Sequence, residues 1–389
     1  MREDVRFHHG KELSSEDVKA TFERILAEGS GSPWKEEFSA IERIRTPDAT
    51  TVVFELERPH APLLSSLASG WGAILPSDLI EDGHDFANEP VGTGPFNMSD
   101  WVRDNRIVLE RNSDYWMKGA PRMDRVNVNI ITEPSVQVQG LLSGDLHMID
   151  TVLPGDVDVV RNAENARLYR QLTALVLVVA MNTDREPLDT LEVRQAINHA
   201  IDKEAVLEVA YTGGEVVGTF MDSQSPYYVD TTEMYPYDPE KARQLLDEVD
   251  LAEDTTLEIT VPQNYEFHVR AAEMYERMLT DVGLDADIRL VDWSTWISDV
   301  YRGTSYDLAV VGHTGKLDPD GRLQGEFDYT NWHDERAEQL IDEARRTSDF
   351  EKRKDLYEEV LEIMAREVPF VYVGTPYLYV GLSEEVGGF

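Results

Sequence analysis

Val91-Gly92-Thr93-Gly94-Pro95-Phe96 is the stretch from which the fold can be read. Two glycines around a threonine supply backbone angles that other residues resist, and Pro95 fixes the direction in which the chain leaves. The composition predicts a tight turn that delivers the chain into a strand. A Gly-x-Gly pair suggests a phosphate cradle only where a helix follows, and no helical periodicity follows here. A second unusual block, Asp114-Tyr115-Trp116-Met117-Lys118-Gly119-Ala120-Pro121, comes shortly after.

Outward from this centre the patterns alternate between helix and strand. Ser14 reads as an N-cap, Asp17 three residues on completes a capping box, and Val18, Phe22 and Ile25 form an apolar stripe. Together they predict a helix over about 15–27. Val52, Phe54 and Leu56 alternate with polar neighbours and predict a half-buried strand over 50–57, after the loop Gly29-Ser30-Gly31-Ser32-Pro33. Downstream, Val126, Val128 and Ile130 alternate, 135–143 has the character of a βαβ helix, and 172–180 is an apolar run suited to a strand covered on both faces. Val193, Ala196, Ile197, Ala200 and Ile201 make one helix face. Asp238 caps another helix, with Pro239 in its first turn and Ala242, Leu245, Leu246 and Val249 inward. Strands over 257–261, 288–291 and 308–311 alternate with helices over 266–281 and 333–347. The last long helix, 351–366, is expected to bury Leu356, Val360, Ile363 and Met364 before a strand at 370–373. This is α/β material.

Five blocks together resemble one family. The two quoted above are similar to the signature region of the periplasmic peptide-binding proteins, the solute receptors of ABC importers for oligopeptides, dipeptides and nickel. Arg6-Phe7-His8-His9-Gly10-Lys11-Glu12-Leu13-Ser14-Ser15-Glu16-Asp17-Val18 resembles the family's strand–turn–helix opening. Val193-Arg194-Gln195-Ala196-Ile197-Asn198-His199-Ala200-Ile201-Asp202-Lys203 and Tyr237-Asp238-Pro239-Glu240-Lys241-Ala242-Arg243-Gln244-Leu245-Leu246 resemble two of its helices, and all five blocks keep the family's order. The resemblance implies an α/β, two-lobed periplasmic-binding-protein type II fold with a small additional peripheral domain. Residues 1–90 would form the peripheral domain, 91–180 part of the first lobe, 181–374 the second, and 375–389 the return to the first. Crossings near 181 and 374 would then form a hinge. The family's first strands would precede Met1, so the chain is expected to be a shortened member. Its full-length form would carry a signal peptide and, as a lipoprotein, a lipid-attached cysteine. The implied function is an extracellular solute-binding protein that closes around a small solute and delivers it to an ABC transporter permease. It would work as a monomer at the outer face of the membrane or in the periplasm. A non-functional fragment of such a receptor, or a hydrolase, are the alternatives.

Composition narrows the field further. At 389 residues the chain can hold more than one domain. Its net charge of −39, from 75 acidic and 36 basic residues of which nine are lysine, is spread along the chain and argues against a nucleic-acid partner. The same excess fits a halophilic protein, since the Debye length falls to about 3 Å at 1 M salt. No cysteine is present, which removes disulfides, thiolate metal sites and thiol nucleophiles.

No cofactor and no metal are expected. With so many acids, close carboxylate pairs arise by chance, and none is marked as a glycosidase pair by aromatic walls. Asp318-Pro319-Asp320-Gly321 lacks the remaining ligands of a calcium loop and reads as a turn. His8-His9 and His333-Asp334 read as structural, the second as a helix start. The family's ligand loop follows the strand ending at Val311 and here is Gly312-His313-Thr314-Gly315-Lys316-Leu317-Asp318-Pro319. Peptide-binding relatives place an aromatic and then an aspartate there, the carboxylate holding the peptide's ammonium group. In this chain His313 stands at the aromatic's place and Lys316 near the aspartate's. Either Asp318 takes that role, or the solute is anionic or a metal chelate instead of a free peptide. Gly312, His313, Thr314, Lys316 and Asp318, with Tyr227 and Tyr228 on a loop that borders the cleft in relatives, are the candidate solute contacts. Asn182 is expected to tie down the strand that precedes it.

Overall fold

The computed structural model describes residues 1–211, 213–252, 255–314, 318–323 and 328–388. They divide into two compact units, Met1–Glu133 and Pro134–Phe389.

In the first unit, helix α1 (Ser15–Leu26) starts where its cap dictates. The Asp17 carboxylate accepts the Ser14 amide at 2.8 Å and the Ser14 hydroxyl at 2.9 Å, which satisfies a donor that the first turn leaves orphaned. Val18 and Phe22 of α1 are buried with Phe38, Ile41, Ile44 and Leu63. The antiparallel ribbon of β1 (Ile41–Asp48) and β2 (Thr51–Leu56) lies against them. Only β2 was legible in the sequence, because the burial of β1 does not alternate along its length. The short helices α2 (Leu63–Leu67) and α3 (Ser77–Glu81) complete this part. A three-stranded antiparallel sheet follows, β3 (Phe96–Val102), β4 (Arg106–Arg111) and β5 (Arg125–Asn129), in that order.

The Val91–Phe96 stretch does lead into β3, but not through unusual glycine angles. Neither Gly92 nor Gly94 is left-handed, and a Cβ on Gly94 would meet nothing within 4 Å. Hydrogen bonds shape the turn instead. The His8 amide donates to Gly92 O (2.9 Å), the Gly92 amide lies 3.3 Å from His8 Nδ1, and Asn112 Nδ2 donates to Gly94 O (2.9 Å).

The second unit is built on one eight-stranded sheet. Its strands are β6 (Met148–Ile149), β7 (Ala166–Leu172), β8 (Leu175–Met181), β9 (Gly214–Glu215), β10 (Thr256–Pro262), β11 (Asp285–Val291), β12 (Leu308–Thr314) and β13 (Phe370–Ser383). They run β11-β10-β12-β8-β13-β6, with β7 and β9 also paired to β13. β11, β10 and β12 are parallel, and β8 is antiparallel to both β12 and β13. The helices are α4 (Pro134–Ser143), α5 (Val157–Arg161), α6 (Leu191–Ala200), α7 (Lys203–Ala210), α8 (Pro239–Asp247), α9 (Glu266–Asp281), α10 (Trp293–Thr295), α11 (Asp320–Leu323), α12 (Glu335–Arg346) and α13 (Phe350–Glu367).

β8 shows why a continuous apolar run is needed. Leu177, Val179 and Met181 enter the core formed with α6 to α9, whereas Val176, Val178 and Ala180 enter the core formed with α12 and α13. Both faces are covered, so both sets of alternating residues must be apolar. Asn182, just past the strand, donates to Thr304 O (2.8 Å) and Tyr306 O (3.1 Å), the tie expected of it. In α13 the buried stripe is Arg353, Tyr357, Val360, Leu361, Met364 and Ala365, with Leu356 and Ile363 at its margin. The face is turned slightly from the expected one.

A smaller core lies at the other end of the sheet, where Val138, Leu141, Ile149, Val152, Val157, Val160 and Ala166 are buried. The chain passes from this core to the larger one at 173–174, between β7 and β8, and returns along β13 at 374–376. The two passages are stitched together: the Thr173 amide (3.1 Å) and hydroxyl (2.9 Å) both donate to Pro376 O.

Candidate functional site

In α/β sheets, loops at the carboxyl ends of parallel strands are free to form a crevice, because helices cover the faces. Here those ends are Pro262, Val291 and Thr314. Thr314 pairs with Leu175, beside the 173–174 passage. β12 therefore ends where the chain crosses between the smaller core and the two larger ones of this unit.

Three of the expected contacts lie at that strand end. Gly312 pairs with Leu177, and a Cβ there would come within 2.8 Å of Leu175 Cδ1, so a larger residue would displace the Leu175 side chain at the strand end. Thr314 is exposed. His313 is half-buried, with Nε2 2.9 Å from the Tyr329 hydroxyl and its ring edge-on to Phe220 (5.7 Å). Tyr329 is fully buried, and its carbonyl accepts the Tyr306 hydroxyl at 2.8 Å. The imidazole thus stands on a rigid aromatic floor.

Lys316 and Gly315 lie outside the described residues. Asp318 is 5% exposed, and both its carboxylate oxygens accept from the Arg353 guanidinium, at 2.5 and 2.6 Å. Tyr227 is brought to the same guanidinium, its hydroxyl 3.0 Å from Nη1 and its ring packed on Phe350 and Tyr357. Burial alone would lower the Arg353 pKa, but the Asp318 hydrogen bonds and charge, together with Tyr357 and Tyr227, outweigh it and push it up. Tyr228 is half-buried next to Asp230, and burial first, then that carboxylate, raises its pKa.

Further residues at the strand ends were not singled out from the sequence. Tyr265, just after β10, meets Trp293, just after β11, at 5.7 Å and a right angle. Trp293 is 40% exposed and stacks on Trp296 (5.2 Å, 3°), which is itself buried. His268, in the first turn of α9, is buried, with Nδ1 2.8 Å from the Tyr211 hydroxyl. Burial and then His313 lower its pKa to about 3, so it is neutral. The signal available in the sequence was an aromatic within three residues of each strand's carboxyl end. The arrangement offers flat apolar walls and an imidazole, which suits holding a solute through stacking and a few polar contacts. Among the described residues no cluster of three or more His, Asp or Glu is placed to hold a metal ion, and no helix is long and apolar enough to cross a membrane.

A model of the family described as bacterial extracellular solute-binding proteins, family 5 Middle, matches residues 1–334. The chain is 29% identical over 428 residues to the di/tripeptide-binding protein 1 of Pseudomonas aeruginosa (strain UCBPP-PA14), covering 100% of this chain and 79% of that one. Among solved structures it is similar to the ABC transporter-associated periplasmic binding protein DppA from Helicobacter pylori, in complex with the peptide STSA. The TM-score is 0.84 at 26% identity, over 100% of this chain and 82% of that one. The binding protein AgaA from A. tumefaciens R10, in complex with agropinic acid, matches with a TM-score of 0.82 at 27% identity, over 100% of this chain and 82% of that one. These likenesses bear out the α/β periplasmic-binding-protein fold expected from the sequence.

Proposed function

Because the chain belongs to family 5 of the bacterial extracellular solute-binding proteins, we propose that it captures a short peptide and presents it to an ABC permease outside the cell. The observation that carries this reading is the position of β12, whose carboxyl end opens beside the passage between the smaller core and the larger ones. The relative named for di- and tripeptides, aligned over the whole chain, supports peptide as the solute. We assign His313 and Thr314, with Lys316, Tyr228 and the main chain at Gly312, to solute contact. Tyr265 and Trp293 join them as walls. Asp318 and Tyr227 enter as anchors of the site, their polar atoms being held by Arg353. The division of labour we propose is a peripheral domain over 1–90, a first lobe from 91 to the passage at 173–174 and from 375 to 389, and a second lobe between those passages, so that the crossing expected near 181 moves back to 173–174, because β8 packs into the larger cores.

Capture works through populations. Contacts made with both lobes exist only in the closed state, so solute draws the protein toward closure. Converting a mostly open population to a mostly closed one takes about 5.5 kcal/mol of differential affinity. The family is one of solute-binding proteins, which supports capture as the function. The charge of −39 suits, in our reading, a setting of concentrated salt.

A second reading, an anionic solute, is favoured by the agropinic acid bound to AgaA and by an imidazole where peptide-binding relatives carry an aromatic. Thermal unfolding with a panel of di- and tripeptides, agropinic acid and a nickel–histidine chelate separates the two. Peptide binding raises Tm for several peptides regardless of side chain. A rise with agropinic acid alone selects the anionic reading, and no rise with any member of the panel sinks both.

A further inference from the structure

One guanidinium in this protein engages all five of its N–H donors with protein acceptors. Arg353 is 5% exposed. Its Nε donates to Ala344 O in α12 (3.0 Å), and its Nη1 to Tyr227 Oη (3.0 Å) and Asp318 Oδ2 (2.5 Å). Its Nη2 donates to Asp318 Oδ1 (2.6 Å) and Tyr357 Oη (3.1 Å). The guanidinium is planar and its donors are fixed in one fork, so five simultaneous bonds set the mutual positions of their acceptors within hydrogen-bond tolerance. Those acceptors belong to four separate pieces of chain: α12, α13, the segment at Asp318–Asp320, and the 222–230 loop. The last two carry proposed site residues. Two residues beyond Asp318, Asp320 is held from α12 by Arg345 Nε at 3.0 Å, so the chain leaving the site is pinned twice.

We infer that Arg353 is a positioning residue for solute capture: touching no solute, it sets the spacing between Asp318 and the 222–230 loop. The inference rests on the function proposed above. A buried ion pair adds little net stability over an apolar pair of similar volume, so its worth here lies in specifying one geometry. Lysine keeps the charge but has three donors on a point-like head, and cannot hold five acceptors in one plane.

The test compares wild-type protein, Arg353→Lys and Arg194→Lys, measuring Tm and the Kd for whichever panel peptide stabilises the wild type. Arg194 is a matched control. It is also 5% exposed, and its donors go to Glu367 O, Leu188 O and Asp189 O, none of them in the proposed site. The expected result is a Kd about tenfold weaker for Arg353→Lys, mostly from faster dissociation, with Arg194→Lys lowering Tm and leaving Kd unchanged. A folded Arg353→Lys with Kd within twofold of wild type overturns the inference, as does equal weakening by both variants. If Arg353→Lys does not fold, Tyr227→Phe removes one acceptor from the fork. A weaker Kd then supports the positioning role, and an unchanged Kd overturns it. Wild-type protein that binds no member of the panel is a distinct outcome, which defeats the proposed function and this inference with it.

Discussion

At the scale of single residues, the buried charges show which side chains are fixed by the fold. Asp318 and Arg353 are each about 5% exposed and face each other in two short bonds. Removing one partner strands the other charge in the interior. Asp318→Ala is expected to cost about 3–5 kcal/mol, read as a fall in Tm on the order of 10 °C. A fall of only a degree or two would mean that the pair is far better hydrated than its burial implies. Asp17 gives a second test. Burial alone would raise its pKa, but the Lys11 ammonium and the Ser77 and Ser14 amides outweigh this and bring it down to about 2. The carboxylate therefore contributes stability above the unfolded value near 4, and that contribution is lost as pH falls from 4 through 2. Acid unfolding of Asp17→Asn should show a shallower loss over that window than wild type, by about 2 kcal/mol. Parallel curves would contradict the assignment. Asp17 was legible in the sequence because a capping box is local. Arg353 was passed over, although it sits in register with Tyr357, Val360 and Met364 on the apolar stripe of α13. A cation in a core stripe is a signal, but its partners lie 35 and 126 residues away and no local pattern names them.

At the scale of elements, what was legible depended on burial on one face or two. The run over 172–180 announced a strand covered on both sides, and β8 is one, displaced to Leu175–Met181. The break between β7 and β8, which makes the passage at 173–174, is only Thr173-Ala174 between Leu172 and Leu175, too short to interrupt the apolar run. β1 was missed because its exposed positions do not alternate. The glycines of Val91–Phe96 misled in the opposite sense, since their turn is held by His8 and Asn112, which are remote in sequence. Of the candidate site, the end of β12 was legible as a loop after a strand. The walls at Tyr265 and Trp293 needed the parallel strand order to bring them alongside. β13 carries a further prediction. A Cβ on Gly374 would lie 2.6 Å from both Glu215 O and Leu207 Cδ1. The carbonyl belongs to a paired strand and cannot retreat cheaply. Gly374→Ala is expected to lower stability by about 1–3 kcal/mol in denaturant titrations, the range for overpacking. An unchanged midpoint would mean that the returning passage has slack, and with it a looser hinge than proposed.

At the scale of the whole molecule, charge and closure dominate. A net charge of −39 makes every compact state self-repelling, and salt relieves that repulsion as the Debye length falls from about 10 Å at 0.1 M to about 3 Å at 1 M. Tm should therefore rise by several degrees across this range of potassium chloride, most of it before 1 M. A flat or falling Tm would remove the case for a concentrated-salt setting. Capture itself is tested most directly by small-angle scattering during a titration with the peptide that stabilises the protein. The account predicts a radius of gyration that shrinks and saturates with the same Kd as binding. Peptide that saturates the protein while the radius stays constant would contradict closure around the solute.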